Sequence, residues 1–499
     1  MTSLLPSKIW TKPGIALAVI LLGLLTAVRV IGLHFSVVEL FYDESQYWAW
    51  AQEPAFGYVS KPPLLAWIIA ATDHVCGNSE ACIRTPMPVF YFGTCLVVYA
   101  IASELYDARI GFFAAISLAL APGISFSSRI VSTDVPLLFF WTLALLAYVK
   151  LLTQRKWYWI VLLGISLGLG LLAKYAMVYF VLGVALAAWF EGDARRLLRR
   201  SDLWIALLIA LLLLAPNIWW NAEHHFATVG EVGNNIKGDG LKFNPARALE
   251  FVASQFGVLG PVLFAALLAA IVRIASPKMS RADCLMLAFA IPPLALITMV
   301  AWITHANANW AATAFISGTI VATAAIVQAR AWKWLAASIA IGIVAQVLLL
   351  AGDPFAARAH LPVVGDVYSR TMGWRSFAEQ TGALARSVGA RSIVTDVHFE
   401  TASLLYYWRN QPERIFAWLN EPWPQDSFEL NHPFTSDTPQ PILYVTACFN
   451  KVPLGDYFRD VEPLGPIIAP SGPHTAHFFE AYRLDGLRGD IAPRGECDW

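Results

Sequence analysis

Residues 41–63 run FYDESQYWAWAQEPAFGYVSKPP. The stretch opens on two adjacent carboxylates, Asp43 and Glu44, passes through aromatics that include Tyr58, and closes on Lys61 followed by two prolines. It follows an apolar segment directly, and ionisable groups so near a membrane span are costly unless they are used or paired. Further along stand Arg84, Arg129, Asp134 in STDVP and Lys174 in GLLAKYAMVYF. A carboxylate can take the proton of an incoming hydroxyl. Lys and Arg can hold the oxygens of a phosphate leaving group. Together these requirements describe transfer of a glycosyl group from a lipid phosphate to a hydroxyl. No Gly-rich nucleotide-binding motif is present, which argues against a nucleotide-sugar donor on a soluble unit.

Each residue also has a structural reading. Thr133 or Asp134 ahead of Pro136 suits the start of a helix. Lys174 can snorkel to the membrane surface, and Lys61 can pair with Asp43 or Glu44. The run Glu223-His224-His225 holds three metal-ligand types, but adjacent positions rarely point the same way and no spaced set completes a site. No metal is therefore assigned, a divalent ion remaining the alternative.

The elements that must position these groups follow from composition. Of 499 residues 57% are hydrophobic and 14% charged, against about 25% charged in a soluble protein. The chain is a polytopic membrane protein. Taking ~20 apolar residues per span, we expect about eleven spans, near 14–33, 86–106, 111–128, 135–151, 157–173, 175–190, 203–220, 249–272, 283–303, 310–329 and 334–351. The first is too long for a signal peptide and leads into further spans. Short-loop cations such as Lys8, Lys12, Arg195, Arg196, Lys278 and Arg330 put the N-terminus in the cytoplasm. The long tail and the loop 34–85 then lie outside, where Lys242 also falls. In that loop 44–52 and 63–71 form short interfacial helices.

Hydrophobicity drops from Asp353. Residues 1–352 hold 23 basic and 17 acidic residues, and residues 353–499 hold 12 and 18. The basic excess belongs to short membrane loops, so no nucleic acid is implied. The expected organisation is an all-α membrane domain over 1–352 and a small α/β domain over 353–499, with strands at 391–397 and 442–448 and a helix at 376–388. The tail aromatics Tyr406, Tyr407, Trp408, Trp418 and Trp423 are either core or a face for sugar. Four of the six cysteines fall outside, and Cys76–Cys82 closes a short loop.

At these residues the sequence resembles the GT-C membrane glycosyltransferases of the protein O-mannosyltransferase and aminoarabinose transferase type, bacterial galacturonosyltransferase-like members above all. The matching features are YDES, YVSKPP, Arg84, TDVP and Lys174-Tyr175, in that order over roughly residues 14–320. The resemblance implies Asp43 as the base on the acceptor, with Glu44 beside it. It implies Lys61, Arg84 and Lys174 on the donor phosphate, and Asp134, Arg129 and Tyr58 in support. Ser60 stands where aminoarabinose-type members tend to carry an acid, which speaks against a metal there and against that substrate. The implied protein is a monomeric enzyme of the bacterial inner membrane with its active site and tail in the periplasm. Its donor is a polyprenyl-phosphate sugar, its acceptor lipid A or another envelope glycan, and its anomeric centre inverts. A protein O-glycosyltransferase is the alternative enzyme. A flippase of lipid-linked sugar is the alternative class, though its charges would lie near the midplane in repeated halves.

Overall fold

The computed structural model describes residues 14–237, 243–276, 279–411, 414–448, 452–495 and 497, with the side chains of 232 and 234–237 left aside. Lys8, Lys12, Lys242 and Lys278 lie outside the described residues. Packing divides the chain into two units. The first takes Met1–His34, Lys61–Leu65 and Arg84–Leu350; the second takes Phe35–Ser60, Ala66–Ile83 and Ala351–Trp499.

The first unit is helical. Among the described residues, six helices are long and apolar enough to cross a membrane: Ile15–Phe35, Glu80–Leu105, Asp134–Thr153, Ser201–Glu223, Arg281–Ile303 and Trp332–Arg358. Shorter apolar helices fill the other expected spans, and two of those spans are broken. The 111–128 segment divides into Ala108–Ala119 and Pro122–Ser127. The 249–272 segment divides into Pro245–Val258 and Pro261–Val272. Pro122 and Pro261 lack the N–H that would continue a helix, and Gly260 takes a left-handed φ of 90° at the second break.

Apolarity on all sides leaves a helix either buried or facing lipid. Asp134–Thr153 is the buried case, with 78% of its apolar window inside the protein, against 17% for Ser201–Glu223. Trp204, Leu208 and Leu212 of the latter are exposed. Its inner side meets Trp157–Ala173 at Gly164 and Gly168, where an added Cβ would come within 2.7 Å of Ala206 O and 2.9 Å of Leu213. Small residues four apart let two such backbones approach. Arg29 is buried in the first helix and donates to Gln346 Oε1 and Ala119 O, each at 2.7 Å.

The second unit is built on a five-stranded sheet in the order β4-β3-β5-β7-β6. Its strands are β3 (Ser392–Thr395), β4 (Arg414–Ala417), β5 (Ile442–Thr446), β6 (Phe458–Pro470) and β7 (Ala476–Leu487), preceded by a hairpin of β1 (His360–Leu361) and β2 (Gly365–Asp366). β4, β3 and β5 run parallel; β7 is antiparallel to β5 and β6. Every residue of β3 and β5 is buried, as continuous apolar runs under parallel pairing require. Helix Trp374–Ser387 covers one face, and Gly382 lies so close to Trp408 that a Cβ would meet its ring at 2.1 Å. Tyr406 and Trp418 are core residues, each 1% exposed, whereas Trp423 is 63% exposed. Disulfides join Cys76 to Cys82 and Cys448 to Cys497.

The last residues fold over the C-terminal ends of the parallel strands. Arg494 N donates to Leu419 O at 2.8 Å, and Trp418 Nε1 donates to Ala492 O at 3.0 Å. The Arg494 guanidinium pairs with Asp396, which also accepts from Tyr444 and Thr446 at 2.6 and 2.9 Å. Both charged side chains are fully enclosed. Removing one partner of such a pair leaves the other charge buried, at about 3–5 kcal/mol. Arg494→Ala should therefore lower the thermal unfolding midpoint of the purified protein by several degrees. An Arg494→Met, Asp396→Leu double variant should lose less than Arg494→Ala.

Candidate functional site

In the second unit, helix Tyr42–Gln52 carries Asp43 and Glu44 in its first turn. Helix starts leave backbone N–H groups without partners. Glu44, 1% exposed, uses Oε2 to accept from Phe41 N at 3.0 Å and so closes the turn. Asp43 stays half-buried at the positive end of the helix. Burial, and then the charge of Asp43, push the neighbouring Tyr42 hydroxyl above its ordinary range. Arg370 lies 5.3 Å over the Phe41 ring. The two adjacent acids thus have different surroundings, one buried in a cap and one partly open.

The helix is fixed at both ends. Leu40 N donates to Tyr407 OH at 2.7 Å, and the Trp48 and Tyr406 rings meet at 5.0 Å. Tyr58 stacks on Trp50 with centroids 4.6 Å apart and donates to Trp50 O at 2.8 Å. Burial pushes the Tyr58 hydroxyl up to about 12, so it stays a donor at neutral pH.

In the first unit, Lys61 is half-buried ahead of Pro62 and Pro63. Arg84 is 2% exposed, and Arg129 donates to Leu349 O at 3.5 Å. Asp134 begins its helix, yet its carboxylate does not cap it: Ser132 Oγ accepts from Asp134 N at 3.2 Å. The carboxylate instead accepts from Lys174 Nζ at 2.7 Å and from Asn309 Nδ2 at 2.6 Å. The structure thus joins two expected site residues, Asp134 and Lys174, and adds Asn309 of the THANANW turn. Next to Lys174, Tyr175 OH donates to Asn217 Oδ1 at 2.8 Å.

The Glu223-His224-His225 run has a structural account at one member. His224 stacks on Trp220 at 4.1 Å, with Nδ1 2.7 Å from the Trp220 carbonyl. Among the described residues no three His, Cys, Asp or Glu side chains gather as a metal would require. Sequence reasoning missed Arg29 and the buried cap role of Glu44. An arginine in mid-span was the available signal for the first.

The chain thus combines a unit of apolar helices and a mixed-sheet unit, each carrying acids or cations at helix ends. Two crystal structures of ArnT from Cupriavidus metallidurans share the fold, at TM-scores of 0.64 for the apo state and 0.66 with undecaprenyl phosphate bound. Each is 14% identical, and the bound one covers 93% of this chain and 97% of that one. Residues 60–220 match the model of the dolichyl-phosphate-mannose-protein mannosyltransferase family. Lipid A galacturonosyltransferase RgtD of Rhizobium johnstonii is 34% identical over 419 residues, 84% of this chain and 88% of that protein. Lipopolysaccharide core galacturonosyltransferase RgtA of the same organism is 25% identical over 203 residues, 40% of each. The chain belongs to the GT-C membrane glycosyltransferases, in the family that includes RgtD.

The Asp134–Lys174 pair can be tested apart from activity. Lys174 keeps about a quarter of its side-chain surface, so Asp134→Ala should destabilise by about 3 kcal/mol, the low end for breaking a buried pair. An Asp134→Asn, Lys174→Gln double variant should be more stable than the sum of its singles predicts. Additive losses in thermal unfolding would show that the pair carries no coupling.

Proposed function

We propose that this glycosyltransferase moves one sugar from a polyprenyl-phosphate donor to a hydroxyl of lipid A or another lipopolysaccharide glycan, at the periplasmic face of the bacterial inner membrane. The observation that carries the reading is the 34% identity to RgtD across 88% of its length. The named relatives are galacturonosyltransferases, so a galacturonosyl donor is the first to test. The protein-acceptor reading leans on the mannosyltransferase match alone, and that match covers only 60–220; Asp43 lies before it.

The step is a single displacement. Asp43 takes the proton of the acceptor hydroxyl as its oxygen bonds to the anomeric carbon. The bond from that carbon to the phosphate oxygen breaks, and the polyprenyl phosphate leaves. Inversion at carbon follows from attack opposite the leaving group. Lys61 and Arg84 hold the charge that grows on the phosphate as that bond breaks, where cations matter most. Lys174, tied to Asp134, sets the helix ends and adds charge. Arg129 supports the same end of the unit. Glu44 and Tyr58 hold the turn that presents Asp43.

In a reconstituted assay with polyprenyl-phosphate galacturonic acid and lipid A, Asp43→Asn should lose transfer by about 10²–10⁴-fold, the range of general-base catalysis. Its unfolding temperature should stay unchanged, and near-native turnover would remove Asp43 from the role. Lys61 has a separate test by ligand protection. Polyprenyl phosphate should raise the unfolding temperature of the native protein and not of Lys61→Ala, since binding to the folded state is what stabilises. Lys61→Arg should recover part of that protection. Equal protection of Lys61→Ala and the native protein would leave Lys61 a structural residue.

A further inference from the structure

A second place for a ligand lies wholly within the second unit. A cleft of about 570 Å³ opens between the last turn of helix Tyr42–Gln52, the end of helix His398–Tyr407, strand β4 and helix Ser427–Asn431. That volume lies in the usual range for small-ligand pockets, about 300–1,000 Å³. Its apolar lining comes from Trp48, Trp408, Phe416 and Phe428. Its polar lining comes from planar side chains: Gln52, Glu53, Arg409, Gln411, Arg414 and Asn431. β4 is the edge strand of the five-stranded sheet, and its Ala417 N and O are bonded to His432 O and Phe434 N.

The site is built. The Arg409 guanidinium stands 4.3 Å over the Tyr406 ring and 5.7 Å from the Trp48 ring, and donates to Tyr406 O. Glu53 is held by Asn431 Nδ2 and His432 Nε2, each at 3.1 Å. Gln52 Nε2 donates to Asp73 Oδ2 at 2.9 Å. Arg414 and Gln411 stand exposed on the rim.

Charge decides among occupants. Among the lining groups Arg409 and Arg414 stand with one carboxylate, Glu53, an excess of a single charge, so no strong field favours a polyanion. The polar rim does not suit an acyl chain. The apolar surface of half-buried Phe416, beside planar groups that both donate and accept, suits a sugar ring, with its C–H face and its hydroxyls.

We propose that this cleft holds a saccharide ring of the acceptor, away from the hydroxyl that reacts. The inference rests on the function proposed above. Asp43 sits in the first turn of the helix and Gln52 at its end. Nine residues at 1.5 Å each separate them by about 14 Å, so an acceptor of more than one sugar can engage both. The cleft then selects the acceptor glycan and leaves the chemistry alone.

The test uses the full-length protein in detergent and the lipid-free glucosamine disaccharide of lipid A, followed by tryptophan fluorescence. The native protein should bind it. Arg414→Glu and Gln411→Ala, at exposed rim positions, should each weaken binding about tenfold without changing thermal unfolding. In the transfer assay they should raise the acceptor KM about tenfold and leave kcat and the donor KM unchanged. Native-like binding and acceptor KM in both variants would overturn the assignment, as would displacement of the disaccharide by an extended peptide. Disaccharide binding lost in Arg414→Glu supports the cleft even if no transfer to lipid A occurs, so failure of the functional reading and failure of this one are told apart.

Discussion

Three apolar helices of the first unit meet at one ion pair. Asp134 opens the most buried of the six long helices, Lys174 fills the break after Trp157–Ala173, and Asn309 comes from the turn before Ala314–Gln328. A carboxylate or an ammonium alone at such a place would be expensive. Paired at 2.7 Å, with an amide on the second oxygen, they let polar chemistry stand at the end of an apolar bundle. Ser132 takes over the capping that Asp134 gives up.

The second unit gives two adjacent carboxylates different surroundings. Two acids side by side on a helix start would both be drawn to its N–H groups. Glu44 takes the cap and is buried, and Asp43 is left partly open. The Leu40–Tyr407 bond holds that start, and the Trp50–Tyr58 stack holds the other end of the helix. A base on a rigid helix is placed more accurately than one on a loop. That is the physical content of the role proposed for Asp43.

Much of the fold was legible because it rests on local rules. Apolar length marked the helical segments, and Pro122 and Pro261 mark their breaks. The Cys76–Cys82 loop was short enough to foresee, and β3 and β5 stood out as apolar runs. β6 and β7 did not. β6 carries Pro463, Pro466 and Gly465 and shifts register between Pro463 and Gly465, and an edge strand tolerates prolines that a central one does not. The candidate site was legible as residue types, not as partnerships. Lys174 and Asp134 are 40 positions apart, and Asn309 is 175 from Asp134. Only the folded chain brings such groups together. Arg29 was missed for the same reason, since its partners Gln346, Ala119 and Ser125 lie on three other helices.

The account turns on lipopolysaccharide as the acceptor, and the most direct measurement is mass spectrometry of lipid A and core from a strain lacking this protein. The account predicts loss of one glycosyl residue, restored by the native gene and not by Asp43→Asn expressed at the same level. An unchanged lipopolysaccharide mass in the deletion strain would contradict it.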